Sequence, residues 1–297
     1  MAAGDTAKSG EHVTVIEEAN RAPEPTPVRL GGVRAGPPRS VVLRRDRWRL
    51  QPAATAAGLL AFVAYATWAA FRNGDYYAGG VGRDYLSPFY SPCLTHNCRG
   101  YVWGPITGSW WEVSPALLIL IFPLGFRLTC YYYRKAYYRS FWLSPPACAI
   151  ADAGSTRPGG LRGRYTGETR FPLLAQNLHR YFFYVAVAFA GILTWDAASA
   201  FRFPGGLGVA VGTLVLALNA VLIWAYTLGC HACRHLCGGG LRALSKAPLR
   251  RWFWTNVSGR LNPHHQLFAW LSLAWIAFAD FYIWLVASGV IHDPRII

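Results

Sequence analysis

The sequence predicts an all-α fold: an integral membrane bundle of five transmembrane helices. Two observations carry this. Of 297 residues, 53% are hydrophobic and only 14% charged, whereas a soluble domain carries about 25% charged residues. The apolar residues also fall into long runs, and a helix needs ~20 such residues to cross ~30 Å of hydrocarbon. Aromatics reach 15%, with 13 Trp and 16 Tyr, the two residue types that collect at membrane–water interfaces.

The runs are taken in order. The first spans about Ala53–Phe71. The second spans about Ser114–Cys130, contains Pro123 and Arg127, and is expected to continue as helix through Tyr131–Tyr138. The third spans about Leu173–Phe201, the fourth Gly206–Gly229 and the fifth Gln266–Val290. Ahead of them, Met1–Pro38 is polar and rich in Pro, Gly and Glu, with too little apolar surface to offset ordering entropy. It is expected to be a disordered cytoplasmic tail without a cleavable signal peptide, which leaves 39–297 as the membrane domain. No internal repeat is visible.

The net charge is +15. On a soluble protein this would raise nucleic acid as a partner. Here the basic residues lie between apolar runs and report topology instead, so no nucleic acid is expected. Arg39, Arg44, Arg45, Arg47 and Arg49 precede the first run. Arg134, Lys135, Arg139, Arg157, Arg162, Arg164 and Arg170 separate the second from the third. Arg242, Lys246, Arg250, Arg251 and Arg260 separate the fourth from the fifth. The opposite loops carry fewer: Arg83 and Arg99 in the long one and Arg202 in the short one. The positive-inside rule then puts the N-terminus in the cytoplasm and the C-terminus outside, consistent with an odd number of spans.

This topology sorts the thiols and imidazoles. Cys93, His96 and Cys98 fall in the outer loop, where a Cys93–Cys98 disulfide is the expected pairing and a metal site the lesser option. Cys130, Cys148, His179, Cys230, His231, Cys233, His235, Cys237, His264 and His265 all fall toward the inner face. On a continuous helix Cys230 and Cys233 lie about 60° apart and His231 and His235 about 40° apart, with the two pairs on largely opposite faces. One pair, completed from other helices, would hold a metal. Thiolates with imidazoles suit zinc or an iron–sulfur centre, and two Cys with two His is also the ligand set of a Rieske-type [2Fe–2S] cluster. The spacing does not separate these, and the bland reading is small polar residues at a helix end. Haem is not expected: only His179 and His265 make a convincing bis-His pair, and the first helix has no His. Arg127 inside a span is a functional candidate by default. Arg180, next to His179, and the inner aromatics Tyr131, Tyr132, Tyr133, Trp142 and Tyr181 could face a flat quinone head group, or simply form an interfacial belt.

Four stretches taken together carry a resemblance: Leu128–Cys148 (LTCYYYRKAYYRSFWLSPPAC), Gly167–Pro172 (GETRFP), Asn177–Tyr184 (NLHRYFFY) and Cys230–His235 (CHACRH). Over about residues 50–297 the chain resembles the membrane-anchor subunit of an actinobacterial, mycobacterial-type succinate dehydrogenase, respiratory complex II. The resemblance implies flavoprotein and iron–sulfur partner subunits, a higher oligomer of the complex, and menaquinone or ubiquinone reduced near the cytoplasmic face of a bacterial inner membrane. It also implies a Rieske-type [2Fe–2S] cluster held by the anchor in place of haem. The expected ligands are Cys230, Cys233, His179 and His265, with Cys130, Cys148, His231 and His235 as the substitute set. The expected quinone contacts are Arg127, Tyr131, Arg180 and Tyr181. A different class of function, a multi-pass transporter or zinc-binding membrane protein, is disfavoured by the absence of a repeat.

Overall fold

The computed structural model describes residues 47, 49–79, 84–94, 114–141, 178–238 and 244–296. The expected tail Met1–Pro38 lies outside them, as do His96, Cys98, Trp142 and Cys148. The described residues form a helical bundle. Its long helices are α1 (Leu50–Arg72), α4 (His179–Ser199), α5 (Val211–Leu228) and α9 (His265–Ala287). Each is long and apolar enough to cross a membrane. Their outward side chains, among them Leu60, Val63, Trp68, Val221, Leu267 and Leu271, are exposed, as expected where lipid rather than water is the solvent.

The second run differs from the continuous helix expected from sequence. Helix α2 (Pro115–Thr129) starts cleanly, with Pro115 in the first turn and the Ser114 hydroxyl accepting from the Ala116 N–H. At ~1.5 Å per residue it falls short of the hydrocarbon thickness by itself. Cys130 then takes an extended conformation, φ −65° and ψ 134°. The chain restarts as α3 (Tyr131–Phe141), bent by 78° from α2. The pair makes a fifth span only if the bent unit is counted as one.

The fourth run is also shorter than expected. Residues 202–207 form a two-residue antiparallel hairpin, β3 (Arg202–Phe203) with β4 (Gly206–Leu207). Gly206 sits at φ +122°, a conformation an L side chain rarely adopts, and this holds the turn open ahead of α5. A second hairpin, β1 (Tyr77–Ala78) with β2 (Tyr85–Leu86), follows α1. Helix α9 ends at a C-terminal glycine, Gly289 at φ +76°, with the Val290 N–H donating to the Leu285 carbonyl at 3.0 Å.

At the other end of α5 the expected helix through Cys237 also breaks. The α5 helix stops at Leu228, and α6 (His231–Gly238) begins as a separate helix. The break coincides with a close crossing at Gly229. A Cβ there would lie 2.9 Å from the Ala225 carbonyl, 3.2 Å from the Leu261 carbonyl and 3.3 Å from His265 Nδ1. Cys230 therefore precedes α6 instead of lying on one face with Cys233. A run of short helices then leads into α9: α7 (Pro248–Phe253), a π-helical turn at Trp254–Ser258, and α8 (Gly259–Leu261). Arg234 stacks over Trp254 at 4.0 Å and fixes α6 against this run.

Buried carboxylates staple the opposite end of the bundle. Asp280 on α9 is fully buried and accepts from Tyr65 Oη at 2.5 Å, from Arg72 Nη2 at 3.3 Å and from Ser87. Asp196 on α4 accepts from Ser91. Asp293 accepts from Tyr85 Oη at 2.8 Å, Tyr282 Oη at 2.7 Å and the Gly212 N–H at 3.0 Å. Cys93 at this end is disulfide-bonded; Cys98, its expected partner, lies outside the described residues.

Candidate metal centre and adjoining cavity

Both helix breaks deliver a cysteine into the interior. Cys130 at the α2–α3 bend and Cys230 at the α5–α6 break are 2% and 1% exposed. They share one apolar cluster with Phe126, Tyr133, Phe183, Tyr226, Ala269 and Leu273. The first residues of α4 and α9 bring an imidazole to each. His179 Nε2 lies 3.0 Å from Cys230 Sγ, and His265 Nε2 lies 3.8 Å from Cys130 Sγ. Four side chains from four places in the sequence thus meet as two Cys–His pairs.

Neighbouring rings and hydroxyls hold these imidazoles in place. His179 stacks on Phe126, centroids 4.8 Å apart and 1° from parallel. Its Nδ1 is 2.9 Å from Thr129 Oγ1, whose own hydrogen is directed at the Gly125 carbonyl, 2.7 Å away. The threonine oxygen therefore accepts from Nδ1–H, and the lone pair is left on Nε2, the atom that faces Cys230. His265 is 2% exposed and stacks on Tyr226 at 4.9 Å and 4°, with Tyr132 edge-on at 5.3 Å. Its Nδ1 is buried without a hydrogen-bond partner.

Three of the four residues expected from sequence, Cys230, His179 and His265, come together. Cys233 is buried in the same apolar cluster, with Cys237 and Ser258 close to it. Burial, with the Cys237 thiol beside it, pushes the Cys233 thiol up to about 12. Cys130, from the substitute set, is buried in the same cluster as Cys230. His231 and His235 are exposed on α6 with ring centroids 5.0 Å apart, and His264 is exposed. Among the described residues, no three His, Cys, Asp or Glu side chains are grouped as one metal ion would require. A two-iron centre asks for something else, two ligands on each iron, and two buried thiols with one buried and one half-buried imidazole match that donor set.

A cavity of about 320 Å³ adjoins this cluster. It runs between α1, α2, α4, α5 and α9 and is lined mainly by apolar side chains such as Phe62, Leu120, Ile223 and Ile276, with Arg127, Tyr226 and Thr227 at the cluster end. Arg127 is held by Tyr133, by the Ala269 carbonyl at 3.2 Å and by Ser272 Oγ at 3.1 Å. Its guanidinium lies 4.9 Å from the Tyr226 ring centroid. Of the quinone contacts expected from sequence, Arg127 lines the cavity; Tyr131, Arg180 and Tyr181 are exposed and do not. Sequence reading missed Tyr226 and Thr129. Both were findable: Tyr226 lies one helical turn before Cys230, and Thr129 is the neighbour of Cys130.

Comparison with known proteins agrees with this architecture. The family described as actinobacterial succinate dehydrogenase subunit SdhC matches residues 50–289. A chain of the solved Mycobacterium smegmatis Sdh1 complex in the apo form is 49% identical, with a TM-score of 0.74 over 86% of this chain and 94% of that one. A search of curated proteins finds no match.

Proposed function

The chain belongs to the actinobacterial succinate dehydrogenase subunit SdhC family, and from that premise we propose that Cys130, Cys230, His179 and His265 hold a Rieske-type [2Fe–2S] cluster beside a quinone pocket. As a subunit of succinate dehydrogenase in a bacterial membrane, the chain anchors the enzyme while the flavin chemistry takes place on another subunit. Its partners in this reading are the flavoprotein and the iron–sulfur protein, in line with its likeness to a chain of a whole Sdh complex. The family removes the transporter alternative.

The observation that carries the reading is the convergence of two buried thiols, the buried His265 and the half-buried His179 at helix ends. When bound, the cluster supplies one-electron transfer between the upstream iron–sulfur partner and a quinone. The protein's own part is positional. Thr129 leaves His179 Nε2 free to ligate. Phe126 and Tyr226 fix the ring planes by stacking, and the surrounding apolar cluster excludes water. The cavity suits the isoprenoid body of menaquinone or ubiquinone, and Arg127 supplies a fixed donor for a quinone carbonyl at the cluster end. The N-terminus is cytoplasmic in this reading. The basic loops support that orientation, and so does a disulfide-bonded Cys93 at the far end from the free thiols Cys130, Cys230, Cys233 and Cys237.

The test separates the candidate cysteines. In the purified complex, Cys130→Ser should abolish the [2Fe–2S] electron paramagnetic resonance signal assigned to the anchor and quinone reduction, while dye-linked succinate oxidation and subunit copurification persist. Cys233→Ser should keep both the signal and quinone reduction. The opposite pattern would return the ligand role to Cys233.

A further inference from the structure

The cavity beside the proposed cluster is walled unevenly. Phe126, Leu193 and Ile223, its lining on α2, α4 and α5, are buried. Between α1 and α2 the wall differs: Val63, Ile121 and Leu124 line the cavity and are also 57%, 56% and 54% exposed. Exposed apolar side chains are ordinary on a lipid-facing helix. These three face an interior space as well, so the cavity has a side opening where they stand. Val63, Ala66, Thr67 and Ala70 on α1 recur at i, i+3, i+4 and i+7, as do Leu117, Leu120, Ile121 and Leu124 on α2. Each set is one helical face, and all eight residues line the cavity. The α1 face is built from small side chains and leaves a groove against the bulkier α2 face. Arg127 is the one charged residue of the lining and stands at the cluster end. From Arg127 back to Leu117, α2 spans ~15 Å of depth.

We propose that the gap between α1 and α2 is the lateral entrance to this cavity, and that a prenylated quinone passes through it head first and leaves its isoprenoid tail in the groove between Val63–Ala70 and Leu117–Leu124. This rests on the quinone-pocket reading of the previous subsection. The opening lies within the apolar spans, so lipid tails rather than water meet it. A water-soluble ligand has no route there, whereas a ligand already dissolved in the bilayer does. Lipid tails are as apolar as leucine, so an isoprenoid chain gains little from full enclosure and can stay threaded through the opening. The polar head has the opposite balance: its carbonyl gains a hydrogen bond at Arg127, the fixed donor at the far end of the cavity. The groove therefore sets the direction in which the quinone lies, tail toward the bilayer and head toward the cluster.

The experiment is photolabelling of the whole complex in proteoliposomes with a menaquinone analogue that carries a diazirine on its isoprenoid tail, with and without excess unlabelled menaquinone. The expected result is label on the α1 and α2 peptides that contain Val63–Ala70 and Leu117–Leu124, removed by the competitor. Competed label on another face of the bundle, such as the lipid-facing side of α5 around Val221, overturns the entrance and leaves the quinone pocket standing. Absence of competed label anywhere on this chain overturns both. A variant gives a second reading: Ala66→Trp fills the groove without touching Arg127. It should raise the KM for long-tailed menaquinone about tenfold, the scale of overpacking an occupied space, and leave the KM for a tailless naphthoquinone unchanged. An equal change for both quinones, or no change for either, overturns the place of the tail in the groove. The photolabelling decides by itself if Ala66→Trp fails to assemble.

Discussion

A hydroxyl of a few atoms decides the chemistry open to His179. Thr129 Oγ1 donates to the Gly125 carbonyl at 2.7 Å and is 2.9 Å from His179 Nδ1, so it selects the tautomer whose Nε2 can ligate. Thr129→Val keeps the shape of the side chain and loses this selection. Removing the hydrogen-bond partner of a metal-bound His lowers metal affinity or activity by about 10–100-fold. We therefore expect Thr129→Val to bind cluster iron about tenfold less tightly, read as iron per complex after mild chelator challenge, with subunit assembly unchanged. Iron retention equal to the wild type would show that the hydroxyl only caps the end of α2.

Backbone breaks, more than helices, build the site. Gly229 allows α5 to end against Leu261 and His265, since a Cβ there would lie 3.2 Å from the Leu261 carbonyl and 3.3 Å from His265 Nδ1. Gly229→Leu should therefore force the crossing apart, at the ~1–3 kcal/mol typical of overpacking. The prediction is a lower thermal midpoint of the assembled complex together with loss of the Cys230–His179 approach, read as loss of cluster iron. An unchanged midpoint with full iron would mean the crossing tolerates a side chain. The same breaks explain how much of the site the sequence could reveal. Spans such as α1 and α9 are legible because about 20 apolar residues suffice to define them. The pairing of Cys230 with Cys233 assumed a continuous helix, and that continuity fails at Gly229, where Leu261, far along the chain, crosses closely. The bend at Cys130 is equally non-local in its effect, since it turns a helix-end thiol toward His265 of α9. His179 and His265 were legible because each stands at the start of an apolar span, where depth in the membrane is set by hydropathy alone.

The whole molecule divides its polar chemistry between two ends. One end gathers thiols and imidazoles; the other is stapled by Asp280, Asp196 and Asp293. Breaking a buried ion pair by removing one partner costs about 3–5 kcal/mol, because the remaining charge stays buried. Arg72→Leu should thus destabilise the complex by about that amount, and adding Asp280→Asn should restore most of it, as measured by thermal unfolding of detergent-solubilised complex. A double variant no more stable than the single one would contradict the pairing of Arg72 with Asp280. The stapled end holds the helices in register, and the other end brings together the four proposed ligands from four segments. Two nitrogen ligands are the feature that separates this centre from an all-cysteine cluster or from a site that holds no iron. The most direct measurement is electron–nuclear double resonance on the reduced complex grown with ¹⁵N-labelled histidine. The account predicts two strongly coupled histidine nitrogens on the anchor's [2Fe–2S] signal, and loss of that signal in His179→Ala and in His265→Ala. A signal from the anchor with no histidine coupling, or one that survives both substitutions, would contradict it.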